Sequence, residues 1–104
     1  MTIWSYVCGE VLNPPRLMTT RTGTKYFEFN LRHNEKSFQD GKISYFSDSV
    51  TISVFDTTLF NETKKLRYGT RLIAEGPIRD RKLGSDRDVR INATSIRICP
   101  DIEI

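Results

Sequence analysis

The side chains with most chemical potential in this sequence are cations interleaved with aromatic rings. Residues 64–90 hold nine Lys/Arg (Lys64, Lys65, Arg67, Arg71, Arg79, Arg81, Lys82, Arg87, Arg90) against four acids (Glu75, Asp80, Asp86, Asp88). A second basic stretch, Arg16 to Lys42, holds six Lys/Arg against three acids. Tyr26, Phe38, Tyr45, Phe46 and Phe55 fall within or between these stretches. The formal net charge of +3 and pI near 9.0 permit an anionic partner without demanding one. Catalysis finds no support. His33 is the one histidine, and a loop position with no neighbouring Cys or acid triad does not make a base. There is no HExxH, no Gly-rich phosphate loop and no Cys/His cluster, so no enzyme, metal or cofactor is expected. Cys8 and Cys99 match neither a CxxC motif nor a zinc spacing. They are expected as two buried free thiols in a reducing compartment. Two glycosylation triplets, Asn61-Glu-Thr63 and Asn92-Ala-Thr94, carry no weight without a secretory signal.

The elements that must position these groups fit one domain spanning residues 1–104. With 38% hydrophobic and 11% aromatic residues the composition is globular, and a chain this size buries roughly two-thirds of its surface, enough for one core. The longest uncharged run, Met1 to Gly9, falls well short of the ~20 residues of a membrane helix. It has neither a basic start nor a cleavage site, so a cytoplasmic protein is expected.

The hydrophobic pattern is mostly period two. In the first strand Ile3, Ser5 and Val7 alternate with Trp4, Tyr6 and Cys8, and both sets are largely apolar, so both faces are expected to be covered. Asn13-Pro14-Pro15 stops it, and Arg16 to Thr24 reads as a polar loop. Residues 25–32 form the cleanest strand, with Phe27, Phe29 and Leu31 inward and Tyr26, Glu28, Asn30 and Arg32 outward. Residues 33–48 read as a long, functional hairpin loop. In 49–55, Val50, Ile52 and Val54 point inward, while Ser49, Thr51, Ser53 and Phe55 point outward. Leu59, Phe60, Thr63 and Leu66 have helical spacing, capped by Thr57 or Thr58 and ended by Gly69. Residues 71–78 are a further strand bent at Gly76-Pro77, 79–88 a charged hairpin loop turning at Gly84-Ser85, and 89–98 the last strand. The prediction is all-β: an OB-fold, a five-stranded partly open Greek-key barrel with one helix between strands 3 and 4.

Pro15-Arg-Leu17-Met-Thr-Thr20-Arg-Thr-Gly23, followed by Phe29-x-Leu31, resembles the bacterial single-stranded DNA-binding protein family. Phe55 through Gly76, ending Leu66-Arg67-x-Gly69 and Glu75-Gly76, is similar to that family's strand–helix–strand segment without a gap. Ile78-Arg79-Asp80-Arg81-Lys82 resembles the basic start of its fourth loop, Ala93-x-x-Ile96 its last strand, and Gly9 sits where its first strand usually carries one. Three departures stand out. Ser49 and Leu83 occupy positions where the family stacks bases on aromatics, leaving Phe55 as the aromatic that matches. The family's long acidic-tipped recruiting tail is not expected after Asp101-Ile-Glu-Ile104, as in a tailless phage-, virus- or plasmid-encoded member. Asp56 replaces a small residue before the helix.

The resemblance implies non-sequence-specific binding of single-stranded DNA during replication, recombination or repair. Such binding needs cations along the phosphates and rings under the bases. Tyr26 and Phe55, with Arg32 nearby, would supply the face; Tyr26 could equally be ordinary cross-strand packing. Arg16, Arg21 and Lys25 would flank one side, and Arg79, Arg81, Lys82 and Arg87 the other. Lys36, Lys42, Tyr45 and Phe46 would add to it from the long loop. Lys64, Lys65 and Arg67 read as a solvated helix face, and Trp4 and Tyr6 as core or subunit interface. The resemblance further implies a homo-oligomer, a dimer or tetramer, with replication or recombination proteins as possible partners and no membrane. Two alternatives remain open: an OB-fold scaffold of the primosomal type acting through protein contacts, and an RNA-binding OB-fold.

Overall fold

The computed structural model describes the backbone of residues 4–39, 42–83 and 86–99, and the side chains of 4–32, 49–78 and 90–99. Seven strands form: β1 (Trp4–Val11), β2 (Arg16–Thr19), β3 (Lys25–Gln39), β4 (Lys42–Val54), β5 (Arg71–Leu83), β6 (Asp86–Asn92) and β7 (Ser95–Ile98). A 3-10 turn, Thr57–Leu59, runs into the helix α1 (Phe60–Lys64) between β4 and β5. The sheet order is β1-β3-β4-β6-β5-β7, and β1 also pairs with β5, closing a five-stranded barrel of β1, β3, β4, β6 and β5. β2 adds to β3 and β7 to β5. This is the expected OB barrel, with two extra strands.

The core follows from the alternation. Phe29, Leu31, Ile52, Val54, Leu72 and Ala74 are fully buried, and Phe27, Leu66, Ile91, Ala93 and Ile96 nearly so. Leu59 and Phe60 pack against this cluster, and the Phe60 ring meets Phe27 edge-on at 5.0 Å. Thr63, the buried polar member of the helix, donates its hydroxyl to the Leu59 carbonyl at 2.7 Å. The helix and its flanks therefore bring to the core the four residues whose spacing predicted it.

Its start differs from expectation. Asp56, not Thr57 or Thr58, is the cap: its carboxylate accepts from the Thr58 backbone N–H at 3.0 Å and the Thr58 hydroxyl at 2.7 Å. These two hydrogen bonds hold the Asp56 carboxyl below its ordinary value. The helical segment is also shorter than the sequence spacing suggests, and Gly69 (φ +87°) serves a separate turn in which its N–H donates to the Val11 carbonyl.

Several loops of the sequence reading are strand. β3 and β4 stay paired residue by residue out to Gln39↔Lys42, so 33–39 and 42–48 are the arms of a hairpin. β5 and β6 likewise pair out to Leu83↔Asp86, where a loop was expected from 79 to 88. An antiparallel ladder satisfies its own N–H and C=O groups and needs no apolar face, so polar sequence does not prevent it. The expected turn at Gly84-Ser85 lies outside the described residues. Arg16–Thr19 is strand as well, paired with Lys25–Glu28. The last strand breaks into β6 and β7 at Ala93-Thr94, whose N–H groups donate to the Ser53 and Glu75 carbonyls.

Two glycines mark where the barrel backbones cross. A Cβ on Gly9 would stand 2.5 Å from the Arg32 carbonyl oxygen, and one on Gly76 would collide with the Asn92 carbonyl. On β1, Trp4 (57%) and Tyr6 (71%) are exposed, so this chain alone leaves one face of the strand uncovered. The thiols are not buried either: Cys8 is exposed and Cys99 intermediate. Cys8 pairs with Ile73 on one side of β5, while the Cys99 N–H donates to Arg71 on the other. Their side chains nevertheless interact: desolvation first, then the neighbouring Cys99 through charge and a side-chain hydrogen bond, push the Cys8 thiol above its ordinary value. Among the described residues no helix is long and apolar enough to cross a membrane.

Candidate nucleic-acid interface

β3 and β4 lie side by side, so their outward residues form rows across the sheet. The first row is aromatic. Phe27 pairs with Val54, which sets Tyr26 beside Phe55 just past the end of β4. Their rings stack at 4.5 Å, inclined by 16°. The sequence nominated two separate platforms; the structure makes them one, with Tyr26 half-buried beneath and Phe55 (40% exposed) open to solvent. The cross-strand packing considered for Tyr26 is therefore present, and it is packing that props up Phe55.

The next row is polar. Glu28 pairs with Ser53 on β4 and with Arg16 on β2. Arg90, from β6, reaches across to donate to Glu28 Oε1 at 3.1 Å and to Ser53 Oγ at 3.3 Å. Ser53, expected outward and solvated, is fully buried because this guanidinium covers it. Glu28 puts a negative charge on this face, and Arg90 offsets it locally. Further along, the Thr51 hydroxyl donates to Asn30 Oδ1 at 3.1 Å, and the Asn30 N–H donates to Asn13 Oδ1 at 2.9 Å. Arg32 closes the face, 3.9 Å from Glu10 with its side chain 42% exposed. So loose and wet an ion pair leaves the guanidinium free to take a phosphate instead.

Cations flank this face. Arg16 and Lys25 are exposed on paired strands β2 and β3. Arg21 rides the exposed turn joining them, where the Thr20 N–H donates to the Thr24 carbonyl and the Thr24 N–H to the Thr20 hydroxyl. The backbone places Lys36 opposite Tyr45, Glu35 opposite Phe46 and Gln39 opposite Lys42 on the β3–β4 hairpin. Arg79 lies opposite Arg90, Arg81 opposite Asp88 and Lys82 opposite Arg87 on the β5–β6 hairpin. The side chains of Lys36, Lys42, Tyr45, Phe46, Arg79, Arg81, Lys82 and Arg87 lie outside the described residues. The two hairpins are neighbours, because β4 and β6 run parallel and pair over Thr51–Ser53 and Arg90–Asn92.

Sequence reasoning counted Arg90 in a charge run but did not place it at the site. The signal was available: Ile91 and Ala93 are core residues, so alternation puts Arg90 and Asn92 on the outer face. Among the described residues no group of three His, Cys, Asp or Glu is placed to hold a metal ion.

No curated protein matches the chain in sequence. Among solved structures, the small single-stranded DNA-binding protein from Streptomyces coelicolor superposes with a TM-score of 0.72 at 17% identity, over 95% of this chain and 94% of that one. The Plasmodium falciparum SSB, solved in complex with single-stranded DNA, superposes with a TM-score of 0.74 at 20% identity, over 93% of this chain and 94% of that one. At such identities these likenesses establish the OB barrel. Residues 5–102 also match the single-strand binding protein family as a whole. A chain with this barrel, matched over nearly its full length, belongs to the single-strand binding protein family.

Proposed function

We propose that the outer face of β3 and β4 holds single-stranded DNA without reading its sequence. Phe55, backed by Tyr26, takes the flat face of a base. Arg32, Arg16, Arg21 and Lys25 follow the phosphates, and the hairpin residues Lys36, Lys42, Tyr45, Phe46, Arg79, Arg81, Lys82 and Arg87 extend the path. The observation that carries this reading is the Tyr26–Phe55 stack, an aromatic pair on the polar side of a barrel with one ring left open. A ring in that setting stacks on any base, and each such stack contributes ~1–3 kcal/mol. Membership of the single-strand binding protein family supports reading the chain as a binding protein, and coating strands in replication, recombination or repair is part of the proposal.

A second copy of the chain is the natural cover for the exposed Trp4 and Tyr6 on β1. The ladder from β1 to β3 spans only Glu10 and Val11, and large apolar side chains at this exposure suit an interface between subunits. Sedimentation at micromolar concentration should give a dimer or tetramer, and Tyr6→Glu should shift it toward monomer. A wild-type monomer at all concentrations contradicts this part.

The face itself is tested by titrating a fluorescently labelled dT oligomer with wild type and Phe55→Ala. The variant should bind weaker by ~1–3 kcal/mol with its melting temperature little changed. Unchanged affinity would remove Phe55 from the site. A matched RNA oligomer in the same titration separates the RNA-binding reading, and absence of binding to either favours the protein scaffold.

A further inference from the structure

Met18 lies on β2 directly opposite Tyr26, and residues opposite one another on paired strands share a face. The aromatic row is therefore wider than two rings: Met18, Tyr26 and Phe55 run in sequence across the outer side of β2, β3 and the end of β4. Met18 is 36% exposed. β2 pairs with β3 alone among the described residues, so Met18 forms the margin of this row. The adjacent row is of another character, with Arg16, Glu28 and Ser53 in line. A thioether suits the position. It is polarisable, makes favourable contacts with ring edges, and its unbranched chain adjusts to whatever lies against it.

We propose that Met18 is a further base-contacting residue in the row with Phe55, and that its oxidation by a peroxide weakens the grip on single-stranded DNA. The inference rests on the DNA-binding reading of this face. In the reaction the thioether sulfur attacks one peroxide oxygen. An S–O bond forms as the O–O bond breaks, sulfur loses two electrons, and the second oxygen departs as hydroxide, which takes the proton from the oxygen now on sulfur and leaves as water. The product sulfoxide is polar and strongly solvated, so it no longer offers an apolar edge to a base, and a methionine sulfoxide reductase reverses it. Exposure on an edge strand gives the oxidant access.

The test is a titration of labelled dT oligomer with wild type, Met18→Ala and Met18→Leu, each before and after hydrogen peroxide. All three retain both cysteines, so thiol oxidation is common to the set. Met18→Ala should lose roughly three- to tenfold in affinity without peroxide. Wild type should lose a similar factor after peroxide and regain it on treatment with the reductase. Met18→Leu, which keeps the apolar volume, should bind as wild type and stay unaffected by peroxide. Two results overturn the proposal: Met18→Ala binding as tightly as wild type, or Met18→Leu losing as much affinity to peroxide as wild type. A wild-type chain that fails to bind dT overturns the reading of the face itself, which the variants alone cannot do.

Discussion

Phe55 offers its ring to solvent because Tyr26 lies beneath it, at 4.5 Å and nearly parallel. Removing the support should therefore act on binding much as removing the platform does. Tyr26→Ala is expected to weaken dT binding by ~1–3 kcal/mol and Tyr26→Phe to leave it unchanged, measured in the same fluorescence titration; loss in both variants would give the phenol oxygen the role instead. The Glu28–Arg90 pair makes a different prediction. Glu28→Gln removes a negative charge from the face while Arg90 keeps its hydrogen bond to Ser53. Affinity at low salt should rise a few-fold, and the salt dependence should steepen by about 0.7 in slope if Arg90 takes up one more phosphate. A weaker-binding Glu28→Gln would mean that Arg90 must be held by Glu28 to act. Alternation alone made Phe55 legible as an outward ring. It could not reveal the stack with Tyr26, because which residues meet across two strands depends on register, and register is fixed by the whole ladder from Phe27↔Val54 outward.

At the scale of elements, alternation found the strands where the sequence carries an apolar stripe, as in 25–32 and 49–55, and missed them where it does not. Residues 33–39, 42–48 and 79–83 carry no apolar stripe, yet the ladders β3–β4 and β5–β6 run through them. The helix was legible from Leu59, Phe60, Thr63 and Leu66, but its cap was not, since Asp56 and both threonines after it are acceptable caps. Because the Thr58 N–H and hydroxyl lower the Asp56 value in the folded chain, the cap contributes stability above the unfolded carboxylate value. That contribution disappears as pH falls through the lowered folded value. Asp56→Asn keeps an acceptor without the charge, so its melting temperature should follow pH less steeply than wild type as the pH falls through and below the ordinary aspartate range. Parallel curves would show that the carboxylate's charge plays no part. Gly76 gives a sharper test of the barrel crossing. Gly76→Ala forces a methyl into the Asn92 carbonyl and should destabilise by ~1–3 kcal/mol in urea unfolding. A stability equal to wild type would mean that β5 and β6 separate there at no cost.

For the molecule as a whole, five short motifs in the right order pointed to the family that the match over residues 5–102 establishes. The order of elements, with a lone helix between the third and fourth barrel strands, pointed to the OB barrel. What the sequence alone left open was what covers the first strand, core or a subunit interface. Trp4, Tyr6 and Cys8 look like a covered strand, but in a single chain they face outward, and only a second copy or another partner could bury them. The basic surplus that seemed weak as a total of +3 is distributed along the flanks of one face, with Arg16, Arg21 and Lys25 at one side and the β5–β6 hairpin at the other. The central claim is that this face tracks the phosphates of a single strand. It is tested most directly by the affinity of the wild-type chain for a dT oligomer measured across a series of salt concentrations. The account predicts that log affinity falls linearly with log salt at about −0.7 per phosphate neutralised, with several phosphates engaged. Binding that is absent at low salt, or indifferent to salt throughout, would contradict it.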